Sequence, residues 1–386
     1  MPTNGTGRSG LPRFMRSVGF IAVAASVAVI VVGQGIDAPI ALVILAVLVV
    51  MTVAAAQISR RYVAFRLLSL VPVMLAVTFL SFIMLSFLPG DPAVNILGNA
   101  ATPEAIEEFR EDNRLDDPVV SRYFRWLGDA TRGDLGDSPF LGESVVDGLG
   151  RTLPISLQYM IYTQIFALVI AIPLGIFTAY KAGQRSDNII TTTSFGVLAI
   201  PNFVLGLVLV FFFALGGFSL WGRDWGMEVL PAIGYVPFGE SVIEHFKRWI
   251  LPVVALGAGQ AVVYMRLLRT DMIATLQEEY INVAKAKGMS TMRILLVHAL
   301  RPSSFTLLTV AGVNLGALVG GSLILETIFN IPGVGSYLAT AIFQRDWLVV
   351  QGVVVVLSVG FVFANFAVDI IYAILDPRIR HARAIT

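Results

Sequence analysis

Apolar stretches long enough to cross a bilayer recur along this chain, and they constrain it more than any other feature. A hydrocarbon core about 30 Å thick takes roughly 20 residues of helix. No water satisfies backbone N–H and C=O groups there, so each crossing segment is read as a self-bonded helix. Eight stretches qualify: 17–33, 39–57, 65–87, 154–178, 189–214, 250–270, 302–326 and 350–374. Gly and Pro interrupt them, as membrane helices tolerate. With 56% hydrophobic residues, only 14% charged and a mean hydropathy of +0.79, the chain lies outside the range of a soluble domain. The expected fold class is all-α, a polytopic membrane protein. Arg13 and Arg16 before the first stretch resemble a signal peptide. Gly33-Gln34-Gly35 is a poor cleavage site, however, and a new apolar run starts at Pro39, so a retained helical hairpin is expected rather than a cleaved leader.

Charge sorts the connectors. Positive clusters fall at Arg8/Arg13/Arg16, Arg60/Arg61/Arg66, Lys181/Arg185, the stretch 266–301 and Arg378/Arg380/Arg383. These are alternate connectors, so the positive-inside rule makes their side cytoplasmic and puts both termini inside. The other side holds the largest connector, 88–153, with thirteen of the 26 acids against six Arg. Thr102-Pro103 followed by Glu104, Glu107 and Glu108 reads as a helix start, so a small external helical insertion is expected, the alternative being a solvated loop. Trp221, Trp225 and Trp249 in the connector 215–249 suit the interfacial belt, as a matter of placement and not of ligand binding.

Catalytic signals are missing. No G-x-x-x-x-G-K-[ST] occurs, so this chain is not expected to bind or hydrolyse ATP through a P-loop. Neither G-x-S-x-G nor H-E-x-x-H is present. His245, His298 and His381 sit apart in connectors or at ends and read as solvated; no cysteine exists, so no thiolate site or disulfide can form. No catalytic residue, bound cofactor, metal or nucleic-acid partner is expected. The spans are nearly free of ionisable groups, which argues against ion-coupled transport. Energy must then come from elsewhere.

The segment 271–301 is the most informative. Ile273, Leu276, Tyr280, Val283 and Ala284 are read as one face of an amphipathic helix over 273–287. Gly288 stops it in a left-handed corner, and Ser290 caps a second helix beginning near Thr291. Ala284, Ala286 and Gly288 leave little bulk, so a groove on another protein could approach closely; a helix lying on lipid is the other reading. In the last span Asn365 and Asp369 share a face, which suits an interhelical hydrogen bond or a gate.

This segment resembles the cytoplasmic EAA loop of ABC importer permeases, in the form seen in the oligopeptide/dipeptide/nickel branch, Y-[VI]-x-x-A-x-A-K-G. Tyr280, Ile281, Ala284, Ala286, Lys287 and Gly288 fit it residue by residue. Asn282 stands where a glutamate is general, His298 where isoleucine is, and Pro302 comes slightly late. Leu88-Pro89-Gly90-Asp91-Pro92, the run 320–352 and Asp376-Pro377-Arg378 also match this branch, in its order. The resemblance covers 62–386 and leaves the first 57 residues outside it. It implies a type I importer membrane fold, with six core spans in a permease domain 58–386, an external insertion 88–153 and a coupling loop 271–301, preceded by an accessory hairpin 1–57.

The resemblance further implies a bacterial or archaeal cytoplasmic membrane protein importing di- or oligopeptides. Its partners would be a homologous second permease, two ATPase subunits (or one fused) that bind ATP and Mg, and an extracytoplasmic substrate-binding protein. The helix 273–287 would couple to an ATPase. Glu326, Asn330 and Asp369 are candidates for pathway or gate; for Glu326, ahead of the helix-breaking Pro332-Gly333, capping of a helix end is the alternative. Nickel, glutathione or short glycans are alternative cargoes on the same scaffold, and a non-transporting sensor or assembly factor is a remote alternative.

Overall fold

A computed structural model describes residues 60–86, 92–98, 101–112, 114–217, 219–220, 223–224, 226 and 229–375. The expected spans 17–33 and 39–57, and with them the hairpin and the accessory domain 1–57, lie outside the described residues. Internal packing divides the chain into Met1–Ser69 with Phe366–Thr386 as one unit and Leu70–Asn365 as the other. The second unit carries the features below.

The order of helices is α1 (Arg60–Ser86), α2 (Pro92–Leu97), α3 (Pro103–Asp112), α4 (Val119–Ala130), α5 (Val145–Tyr180), α6 (Arg185–Ala199), α7 (Asn202–Phe213), α8 (Val242–Leu276), α9 (Glu279–Ala286), α10 (Leu300–Ile328), α11 (Val334–Gln344) and α12 (Trp347–Leu375). A turn at Thr291–Arg293 and a π-helical stretch Ile294–Ala299 lead into α10. The only strands among the described residues are a ribbon of two-residue strands pairing Ser219 with Asp224 and Leu220 with Arg223. The insertion is helical as expected, and Ala105 N–H donates to Thr102 Oγ1 at 3.3 Å where Thr102-Pro103 signals the start of α3.

Three helical stretches among the described residues are long and apolar enough to cross a membrane: Val145–Tyr180, Val242–Leu276 and Thr291–Leu315. Shorter apolar stretches run over Val71–Met84 and Trp347–Val362. The expected span 189–214 needs correction, because it is not one helix. α6 and α7 meet at a 100° bend. The cause is Pro201, which drives Ile200 out of the helical region to φ −88°, ψ 120°.

α5 and α8 form the central seam. Ser144 Oγ accepts from Val146 N–H at the start of α5, and Ser241 Oγ accepts from Glu244 N–H at the start of α8. Small residues let the two helices approach. A side chain at Gly175 would crowd Leu268 at 3.0 Å, and one at Gly257 would meet the Phe166 ring at 2.7 Å. Ala167, Ala171, Tyr264, Met265 and Leu268 are buried in this seam, and Leu307 and Ala311 of α10 close it. Polar links across it are neutral: Tyr264 donates to Gln164 at 3.1 Å, and Asn314 to Gln260 at 3.0 Å. Such bonds join helices in lipid without burying charge. The stretches 154–178, 250–265 and 302–325 contain no Asp, Glu, Lys or Arg.

Candidate functional site

α8 ends at Leu276, and the turn through Gln277 and Glu278 reorients the chain before α9 starts at Glu279. The helix expected over 273–287 is therefore two helices, and its phase is reset between them. Ile273 and Leu276 belong to α8. α9 buries Ile281 and Ala284 against Ile294, Leu276 and Met289. Tyr280 and Val283, expected on that same face, point outward at 45% and 54% exposure. Ala286, Lys287 and Gly288 are exposed too. Tyr280 OH reaches the His298 carbonyl at 3.4 Å.

The corner after α9 follows expectation. Gly288 has φ +74°. Its N–H donates to Lys285 O at 2.9 Å, and Met289 N–H donates to Ala284 O at 3.2 Å, the paired bonds of a Schellman ending. A β-carbon at Gly288 would meet open space, so only the backbone conformation requires glycine. Ser290 takes the position before the next turn, but its side chain makes no capping bond, contrary to expectation.

Between α8 and the start of α6 lies an ion pair that the sequence pattern did not single out. Arg269 donates from Nε and Nη2 to the two oxygens of Asp187 at 2.8 and 2.7 Å. Asp187 is buried, and it also accepts from Gly183 N–H at 2.9 Å and Thr191 Oγ1 at 3.2 Å. This bidentate pair fixes the last turns of α8, which carry α9, to the start of α6. In the sequence Arg269 is one basic residue among several in the stretch 266–301.

At the other end of α10, Glu326 is fully buried. Ser156 of α5 donates to its Oε1 at 2.8 Å, and Gly335 N–H donates to Oε2 at 2.7 Å. The Ser322 hydroxyl and Ser336 N–H complete the set. Ser156 Oγ in turn accepts from Val334 N–H at 2.8 Å. The carboxylate thus caps the N-terminus of α11, where unpaired N–H groups and the helix dipole favour negative charge. The glycines of Ile331-Pro332-Gly333-Val334-Gly335 permit it: a β-carbon at Gly333 would collide with the carboxylate, and one at Gly335 would lie 2.6 Å from Leu323 Cα. The helix break expected at Pro332-Gly333 is present, and α11 is the short piece that follows it. Asn330 is exposed, with φ +51°. The side chain of Asp369 lies outside the described residues.

Asp346 is a second helix cap that sequence reasoning missed. Buried, it accepts from Val349 N–H at 3.2 Å in the first turn of α12 and from the Ser138 hydroxyl of the insertion. Nearby, burial and the Glu143 and Asp346 carboxylates push the Tyr337 phenol up to about 12.

The expectation of solvated histidines fails at His245, which is fully buried in α8. Its Nδ1 lies 2.6 Å from Val236 O, and its Nε2 lies 3.2 Å from both Gln158 Nε2 and Tyr162 OH. Rings of Tyr235, Phe238 and Trp249 enclose it. Gln158 and Tyr162, more than 80 residues away, leave no local signal in the sequence. Among the described residues no three His, Asp or Glu side chains converge as metal ligands.

Comparison with known proteins places these features in a family. Residues 171–381, more than half of the chain, match the family described as binding-protein-dependent transport system inner membrane component, and residues 59–148 match the N-terminal model of such membrane components. The chain is similar to a probable peptide ABC transporter permease of Sinorhizobium fredii, 33% identical over 320 residues, covering 83% of this chain and 99% of that one. It is similar to the oligopeptide transport system permease AppB of Bacillus subtilis, 34% identical over 321 residues, with 83% and 99% covered. A di/tripeptide transport system permease of Pseudomonas aeruginosa is 33% identical over 333 residues, with the same coverages. The chain therefore belongs to the family of inner-membrane components of binding-protein-dependent transport systems, the integral-membrane permeases of ABC transporters.

Proposed function

We propose that this chain is the permease subunit of an ATP-driven importer of di- and oligopeptides, working beside a homologous second permease. An extracytoplasmic binding protein delivers the peptide, and two ATPase subunits, or one fused, bind ATP and Mg. α9 is the coupling helix: Ile281 and Ala284 anchor it, while Tyr280 and Val283 face outward as apolar contacts for a cleft in the ATPase. The observation that carries this reading is the exposed, glycine-terminated helix with the spaced residues Tyr280, Ala284, Ala286 and Gly288, in a chain whose relatives bear peptide-permease names. Orientation follows the positive clusters, with both termini and α9 in the cytoplasm. Coupling requires α9 to make different ATPase contacts in the inward-open and outward-open states.

The test is uptake. The complete importer in proteoliposomes, supplied with its binding protein and with ATP on the ATPase side, should accumulate labelled di- or oligopeptides. Accumulation of nickel, glutathione or a short glycan with no response to any peptide would reassign the cargo. No substrate-stimulated hydrolysis at all would remove the importer reading.

A further inference from the structure

A cavity of about 210 Å³ lies between the insertion and the ends of two apolar helices, with Phe82 of α1, Arg122, Arg125 and Trp126 of α4, and Trp347 of α12 in its wall. Most of its charged groups, which include the Asp129 and Asp134 carboxylates, are already ion-paired or hydrogen-bonded. Arg125 pairs with Asp117, Asp129 with Arg132 at 3.5 Å, and Asp134 Oδ1 accepts from Gly136 N–H at 2.8 Å. Two donors are not. The Arg122 guanidinium lies 6.0 Å from the Phe82 ring centroid and has no hydrogen bond or ion pair among the described residues. The buried Trp126 Nε1 has no acceptor there either. Residues 122 and 126 are one helical turn apart on one face of α4. Both donors line one cavity, so a single oxyanion could satisfy both.

The depth of the site selects the oxyanion. Tyr123 of α4 bonds Thr78 of α1 at 2.8 Å and packs edge-on against Phe79 and Phe82. Thr78 lies within the apolar stretch Val71–Met84, so α4 lies alongside the last turns of a membrane helix and not beyond them. The far side of α4 exposes Val120 at 51% and Phe124 at 62%, and neighbouring α1 exposes Leu80 and Met84. A helix with apolar residues outward and Arg and Trp at its edge fits the boundary of head groups and acyl chains. We propose that this cavity holds the phosphate of an anionic phospholipid, with Arg122 and the Trp126 indole N–H as its donors, while Val120 and Phe124 on the far side of α4 face the surrounding bilayer. Burial and the Arg125 charge lower the Arg122 pKa, against the Asp116 and Asp117 carboxylates, which raise it.

The experiment measures phosphatidylglycerol retained by the complete importer after reconstitution in mixed phosphatidylglycerol/phosphatidylcholine nanodiscs and delipidation. Arg122→Gln should lower retention about tenfold, and Trp126→Phe, which keeps the ring and loses only the donor, about threefold. Arg151→Gln, at an exposed position outside the cavity wall, should leave it unchanged. Trp126→Phe carries the test alone if Arg122→Gln fails to assemble. A second arm uses phosphatidylcholine discs with millimolar inorganic phosphate. Protection of Arg122 from phenylglyoxal by inorganic phosphate equal to that by phosphatidylglycerol discs would make this a free-phosphate site and overturn the lipid assignment. Equal phosphatidylglycerol retention in all variants overturns it as well. So does loss of binding-protein stimulation in Arg122→Gln at normal lipid retention, which would assign the cavity to a protein partner.

Discussion

Glu326 is a buried carboxylate whose partners are all neutral: two hydroxyls and two backbone N–H groups at the start of α11. Charge is tolerated there because those donors converge on it, and they converge because Gly333 and Gly335 let the backbone come close. Removing the acceptor strands the donors. Glu326→Ala should destabilise the assembled protein by about 2 kcal/mol or more, since unpaired buried donors cost about 1–3 kcal/mol each. Glu326→Gln keeps one acceptor oxygen and should fall between. Thermal unfolding of the detergent-solubilised complex gives the comparison, and superimposable curves for Glu326→Ala and wild type would show that the cap holds nothing.

At the scale of the element, α9 depends on its two ends. One is the turn through Gln277 and Glu278, the other the left-handed Gly288. Gly288→Leu should cost about 1–2 kcal/mol in backbone strain and swing the chain leaving α9. The expected outcome is normal membrane insertion with loss of co-purifying ATPase subunits, read as subunit stoichiometry on size exclusion; wild-type stoichiometry with wild-type transport would refute the coupling role. Much of this element was legible in the sequence, namely its amphipathic character and its glycine corner. The buried face was not. The Gln277–Glu278 turn breaks the helical phase, so a period carried through it puts Tyr280 and Val283 on the face of Ile273 and Leu276. The fold-back between α6 and α7 hides for another reason, because Pro201 is the lone marker in a run whose apolar composition suits one straight span equally well. His245 and Asp187 also take partners roughly 80 residues away along the chain, Gln158 and Arg269, which no local pattern reveals.

Across the whole molecule, α5 and α8 have 36 and 35 residues, so each is over 50 Å long, well beyond a hydrocarbon core of about 30 Å. α5 begins beside the insertion, and α8 runs to the turn that carries α9. The Ser138–Asp346 bond ties the insertion to the start of α12. Shortening 102–117, which removes most of α3, should abolish stimulation of ATP hydrolysis by the binding protein while basal hydrolysis persists. Equal stimulation in shortened and full-length complexes would move docking to the connectors 215–249 or 327–349. The neutral interior of these helices has an electrical consequence. Displacing one elementary charge through 100 mV is worth about 2.3 kcal/mol. The stretches 154–178, 250–265 and 302–325 carry no formal charge to displace, and their cross-links are amides and hydroxyls. These three stretches therefore contribute no formal gating charge, and any response of the chain to the membrane potential has to come from charges outside them, such as Glu326 and the Asp187–Arg269 pair.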